Sequence, residues 1–185
     1  MKAQIKNIVF IVVIALLLVP QTRKPIQVFV NKGLALISPS IKEGGENKKL
    51  LGYDYNFVDK NNTVFNLEAT KGKVVLINYW ATWCPPCIAE MPSLQKLYAD
   101  YRDKITFVFI TSDGFNEVDA FLNEHGYTFN VYREMDDVFS KTLQINGIPR
   151  TLLVDKTGAI VIDETGAANW NSSKVRRKID DLLAK

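Results

Sequence analysis

Residues Val75 to Cys87 read VLINYWATWCPPC, and this stretch decides the fold. Gly72 introduces a nearly continuous apolar run, Val74 to Trp80, the pattern of a strand buried on both faces. Beyond it, Cys84-Pro85-Pro86-Cys87 opens a helix predicted over about Pro85 to Asp103, in which Cys87, Met91, Leu94, Tyr98 and Tyr101 recur at steps of 4, 3, 4 and 3. A second buried strand, Ile105 to Thr111, follows the helix. Strand, helix and strand in this order are the βαβ signature of an α/β sheet.

Working outward, Tyr53 to Val58 and Thr63 to Leu67 flank Asp59-Lys60-Asn61-Asn62, the punctuation of a β-hairpin. Toward the C-terminus, Glu117 to His125 and Asp137 to Leu143 read as helices around a strand at Thr128 to Tyr132. Thr151 to Asp155 and Ala159 to Asp163 form a hairpin across Lys156-Thr157-Gly158. Ser172 or Ser173 caps a last helix striped by Val175, Ile179, Leu182 and Leu183.

Composition narrows the function. The 185 residues are 47% apolar and 23% charged, enough for one core and one ordinary domain, which excludes disorder, collagen and a multi-pass membrane protein. Two cysteines and one histidine cannot build a four-ligand Cys/His metal site or a disulfide-dense scaffold. Residues 1 to 45 carry six Lys/Arg against one Glu, whereas residues 46 to 185 carry seventeen against nineteen Asp/Glu. The basic balance therefore belongs to the leader, and a faintly acidic body argues against nucleic-acid binding.

In that leader, Lys2 and Lys6 precede twelve apolar residues, Ile8 to Val19, and no charge falls between Asn7 and Thr22. Sixteen helical residues span about 24 Å against a hydrocarbon core of roughly 30 Å, so length alone leaves a signal peptide and an anchor both open. Val19-Pro20-Gln21 is not a small-x-small cleavage triplet, which favours an uncleaved signal anchor. The leading lysines orient the body outward, although Arg23 and Lys24 weaken that asymmetry. The expected organisation is an anchor over 1–24, a tether over 25–49 and a folded domain over 50–185, on the outer side of the cell membrane.

The chemistry rests with the two thiols. Their spacing at a strand-to-helix turn permits a tight disulfide, and the helix N-terminus stabilises a thiolate on Cys84. Pro85 suits the first turn, where its missing N–H costs nothing. Cys84 is the expected exposed nucleophile and Cys87, one turn in, the shielded resolving thiol.

Val75 to Cys87, together with Glu90-Met91-Pro92 and Gly147-Ile148-Pro149, resembles the membrane-anchored thioredoxin-like proteins of the TlpA/ResA/CcmG type, from about Tyr53 to the C-terminus. The resemblance implies a thioredoxin fold with an N-terminal β-hairpin and a helix and strand inserted before Pro149. It also implies thiol-disulfide exchange, often in the reductive direction and including cytochrome c maturation, with no cofactor beyond the Cys84–Cys87 disulfide. Pro149 matches the family's cis-proline opposite the dithiol, where free Ile148 backbone groups would pair with an extended substrate segment. Pro92 matches the proline inside the helix after the dithiol.

Glu90 falls within the apolar arc of that helix, beside Cys87. Desolvation there should raise its pKa and suit it to exchange a proton when Cys87 attacks a mixed disulfide. Asn78 stands where cytosolic thioredoxins carry a buried aspartate; unable to ionise, it is expected to hold backbone. Trp83, Pro86, Ile148, Pro149 and Arg150 are the substrate-facing candidates, Arg150 as a cation for a thiolate or an acidic substrate if it does not point into solvent. Trp80 and Trp170 read as packing, and His125, before Gly126, as a helix C-terminal cap.

Pro85 and Pro86 remove two N–H donors from the turn around Cys84 and add no positive charge, which favours a reducing couple. Outside the cytoplasm such a reductant of protein disulfides needs its own electron donor, a membrane dithiol carrier. The rivals are an oxidase or isomerase, and a redox-inert module that binds extended segments at Ile148 and Pro149.

Overall fold

The computed structural model describes residues 4–8, 10, 26–28, 31, 33, 37–40, 49–50 and 52–185. Most of the expected anchor and most of the expected tether lie outside these residues. Among the described residues no helix is long and apolar enough to cross a membrane.

Seven strands form one mixed sheet: β1 (Asn56–Val58), β2 (Val64–Asn66), β3 (Val75–Tyr79), β4 (Thr106–Ile110), β5 (Val131–Glu134), β6 (Arg150–Val154) and β7 (Ile160–Thr165). Their spatial order is β2-β1-β5-β4-β3-β6-β7. β3, β4 and β5 run parallel, and the β1–β2 and β6–β7 hairpins complete the two edges antiparallel. All five residues of β3 are buried, as a central strand covered on both faces requires.

Helix α1 (Pro85–Tyr101) crosses between β3 and β4, and continues through Pro92. Together with α2 (Phe115–His125) and α4 (Ser173–Leu183) it covers one face, where Leu76 and Trp80 of the β3 region meet Met91, Leu94, Leu97, Phe121, Val175 and Ile179. The opposite face gathers Val75, Ile77 and Tyr79 with Leu67 and with Phe139 of α3 (Val138–Thr142). Alternate residues of β3 thus feed two cores. Gly126 ends α2 in the left-handed conformation, φ 68°, beside His125, whose Nδ1 lies 2.9 Å from the Phe121 carbonyl.

Several element boundaries differ by a few residues from the sequence reading, β1 for instance beginning at Asn56 rather than Tyr53, and two have a clear cause. β5 begins at Val131 rather than Thr128, because Thr128 is spent on Gln95 of α1, its N–H and hydroxyl each bonding the amide side chain at 3.0 Å. Asn66, read as strand, also caps a 3-10 turn over Leu67–Thr70 by accepting from the Glu68 N–H at 2.7 Å. Described residues of the expected tether also contact the domain. Pro39 is buried, the Ile37 carbonyl accepts from Asn169 N at 2.8 Å, and Ser40 N donates to Glu164 Oε2 at 2.9 Å. Lys49 pairs with Ala159. Part of the segment before residue 50 therefore packs with the domain.

Candidate active site

The chain leaves β3 at the buried Trp80, turns through a Cys84 N–H to Ala81 carbonyl bond of 3.3 Å, and enters α1 at Pro85. Cys84 is the N-cap residue in extended conformation, and its Sγ accepts from Cys87 N at 3.3 Å. A free helical N–H thus points at the first sulfur, where negative charge is stabilised. Pro85 and Pro86 occupy positions whose N–H groups would have had no helical partner. Cys84 and Cys87 form a disulfide, with Cα atoms 5.2 Å apart.

Cys84 was expected to be exposed, yet in this disulfide state it is only 3% exposed and Cys87 0%. The cause is the facing loop: the Ile148 carbonyl oxygen lies 3.9 Å from Cys84 Sγ, and Trp80 and Ala81 share its apolar cluster. What distinguishes the two sulfurs is position at the helix terminus rather than accessibility.

The Ile148–Pro149 peptide is cis, with Pro149 buried and Ile148 half-buried. Trp83, 61% exposed, stands on the outer side of the dithiol turn. Its indole Nε1 donates to Asp113 Oδ1 at 3.1 Å, and Asp113 Oδ2 accepts from the Thr82 N–H and hydroxyl at 2.7 and 2.8 Å. Asp113 therefore ties the dithiol turn to the loop after β4, a role that no local pattern announces. Pro86 is half-buried in the first turn of α1.

Arg150 is not placed as expected. Successive β6 residues face opposite ways, and Thr151 points to the α1 side, so Arg150 points to the other. There its guanidinium makes a bidentate pair with Asp163 at 2.9 and 3.0 Å and donates to the Leu143 and Gln144 carbonyls at 2.7 and 2.9 Å. Only 13% exposed, it ties the β6–β7 hairpin to the end of α3 instead of serving the sulfurs.

Glu90 is 0% exposed beneath the dithiol, one helical turn from Cys87. Asn78 Nδ2 donates to its Oε1 at 2.9 Å; Trp170 Nε1 and Ala168 N donate to its Oε2 at 2.9 and 3.3 Å. Burial pushes the carboxyl up to about 8 despite these donors, and the charge of Glu164 pushes the same way. Ser93, one turn further on, donates to the Glu90 carbonyl at 2.8 Å and accepts from Trp170 N at 3.1 Å, fastening the 168–170 loop to α1.

Asn78 holds side chains rather than the backbone expected: besides Glu90 it donates to Thr151 Oγ1 at 2.7 Å. Trp170 escaped the sequence reading because its partner lies 80 positions away. A buried indole N–H needing an acceptor was the available signal. Among the described residues no group of three or more His, Cys, Asp or Glu is placed to hold a metal ion. The site therefore brings together a two-electron dithiol couple, the cis-proline loop whose Ile148 carbonyl faces the outer sulfur, and a buried carboxyl whose pKa burial pushes up to about 8.

Comparison with known proteins agrees with this chemistry. Residues 39–182 match the redoxin family model. The thiol-disulfide oxidoreductase ResA of Oceanobacillus iheyensis is 38% identical over 96 residues, a stretch covering 51% of this chain and only half, 50%, of that protein. ResA of Bacillus thuringiensis subsp. konkukian is 31% identical over 70% of this chain and 74% of its own. The thioredoxin domain of a thiol-disulfide oxidoreductase from Bacteroides vulgatus superposes with a TM-score of 0.60 over 75% of this chain and 99% of that one; at 23% identity this likeness shows the fold alone.

Proposed function

The chain belongs to the redoxin family, and from that premise we propose that it is a thiol-disulfide oxidoreductase working as a reductant of protein disulfides. The observation that carries this reading is the Cys84–Cys87 disulfide at the mouth of α1, with the Ile148 carbonyl at its outer sulfur and the buried Glu90 behind it. In the reduced enzyme the Cys84 thiolate attacks one sulfur of a substrate disulfide; that S–S bond breaks, a mixed disulfide forms, and the displaced substrate thiolate takes up a proton. Cys87 then gives its proton to the Glu90 carboxylate and attacks Cys84 Sγ, which releases the second substrate thiolate and closes the enzyme disulfide. Two electrons pass to the substrate, and a dithiol donor must return them.

The extended substrate segment lies along Ile148 and Pro149, with Trp83 and Pro86 flanking the approach to Cys84. The reductive direction is supported by Pro85 and Pro86, which withhold two N–H groups from the outer sulfur, and by the commitment of the Arg150 cation to Asp163. The apolar run Ile8 to Val19, led by Lys2 and Lys6, supports a membrane anchor over 1–24 and an extracytoplasmic domain, with a membrane dithiol carrier as donor. Apocytochrome c is one substrate consistent with the resemblance.

Glu90→Gln tests the proton transfer. In the parent chain, exchange measured by turnover of a model protein disulfide should show an inflection near pH 8, where Glu90 titrates. The variant should lose that inflection and run about tenfold or more slower at neutral pH. A superimposable pH profile would remove Glu90 from the mechanism.

A further inference from the structure

Among the described residues every hydrogen-bond partner of the Glu90 carboxyl is a donor as placed: Asn78 Nδ2 approaches Oε1, and Trp170 Nε1 and Ala168 N approach Oε2. This set suits a carboxylate and leaves a carboxylic acid proton with nowhere to go. An indole N–H and a backbone N–H donate only, so Oε2 is a permanent acceptor and the proton has to sit on Oε1. The neighbour there is different in kind. A carboxamide carries a donor and an acceptor on one planar group, and a half-turn about its terminal bond exchanges them.

A second observation bears on the same side chain. Asn78 is completely buried, and its Oδ1 has no hydrogen-bond partner among the described residues. Such an atom in a native core calls for an explanation. With Nδ2 inward, the amide donates to Glu90 Oε1 and to Thr151 Oγ1, and Oδ1 is left over. With Oδ1 inward, it would accept from a proton on Oε1 and from the Thr151 hydroxyl, which is competent in either role, and Nδ2 would be left over. Either orientation satisfies the two inward contacts and orphans one amide atom. The orphan does not decide between them; the proton on Glu90 does.

We propose that Asn78 is a positioning residue that turns its amide with the protonation of Glu90, donating to the carboxylate and accepting from the acid, while Trp170 holds Oε2 as a fixed acceptor. An aspartate at position 78 could not serve both states at neutral pH, since two facing carboxylates repel. The device lets a buried carboxyl pass between its two forms without losing its partner on β3. Besides these donors, the charged or titratable groups of the described residues that bear on Glu90 are Glu164 on β7 and, after reduction, the Cys84 and Cys87 thiols of the α1 terminus; β3 and β6 contribute the uncharged Asn78 and Thr151.

The proposal rests on Glu90 as the group that exchanges a proton, and its test reads the carboxyl directly: a carbon-13 NMR titration of Glu90 in the full-length chain held in detergent. Trp170→Phe removes a donor that bonds Oε2 in both forms but far more strongly when the carboxyl is ionised, and should move the midpoint up by about one pH unit or more. Asn78→Leu removes a partner of both forms and should move it by less than about half as much. An Asn78→Leu rise equal to that of Trp170→Phe would make Asn78 a fixed donor and overturn the switch, as would an unmoved midpoint in Trp170→Phe. Should either variant fail to fold, the parent chain decides alone. The Asn78 side-chain amide resonances should titrate with the Glu90 midpoint, and flat resonances would overturn the proposal. Loss of the kinetic role of Glu90 is a separate result, read from exchange rates in Glu90→Gln.

Discussion

Replacing Cys84 with alanine is expected to lower disulfide exchange to background, a loss of about a thousandfold or more, because no other group in the site can attack a substrate sulfur. Cys87 cannot substitute. It lies inside the first turn of α1 rather than at the N-cap, and its own N–H points to Cys84 Sγ, so the helix end stabilises the Cys84 thiolate and not its own. Cys87→Ala should fail differently: Cys84 still attacks, and without a resolving thiol the mixed disulfide with the substrate accumulates as a covalent adduct visible on a non-reducing gel. The asymmetry separates an enzyme from a redox-inert module that binds extended segments at Ile148 and Pro149. Such a module would bind its partners undiminished in both variants.

The second large effect is on stability. A carboxyl whose ordinary value is 4.5 and whose folded value is about 8 binds its proton more tightly in the folded state. The stability contributed by the protonated form is fully present below about pH 4.5 and is lost as pH rises to about 8. Over that window the cost amounts to several kcal/mol, roughly 3 to 5, since each pH unit is worth about 1.4 kcal/mol. Glu90→Gln is nearly isosteric and cannot ionise. Its amide oxygen can accept from Trp170 and Ala168, and its amide nitrogen can face Asn78 as the acid would. Denaturant unfolding from pH 5 to 9 should therefore show the variant gaining on the parent chain as pH rises, with its largest advantage at pH 9. A constant difference across the range would mean that Glu90 does not titrate as its burial requires.

How much of this was readable beforehand follows the range of the interactions. The uninterrupted apolar run of β3 and the stripe of α1 are local, and they placed the dithiol at the strand-to-helix turn. Glu90 was found for the same reason, because helical periodicity alone puts it on the buried arc beside Cys87. Its surroundings were not. Asn78 and Thr151 are 73 positions apart, and Glu90 and Trp170 are 80 apart, so only the closed sheet shows that they share one network. Arg150 was misjudged for a related reason: its neighbourhood to Pro149 is sequential, but strand alternation sends its side chain to the other face, toward Asp163. The exposure of Cys84 depends on the Ile148 loop folding back over it, another long-range event. Likewise, Ile37 and Ser40 fall within the expected tether, whereas their backbone bonds to the loop after β7 and to β7 itself.

The most direct test of the central claim is the equilibrium reduction potential of the Cys84/Cys87 couple, measured against glutathione or a dithiol buffer in the full-length chain. The expected value lies below about −240 mV, near the thioredoxin range around −270 mV, because the prolines withhold N–H donors from Cys84 and the Arg150 cation is committed to Asp163. A value above about −180 mV would identify an oxidant or isomerase and contradict the reductive direction.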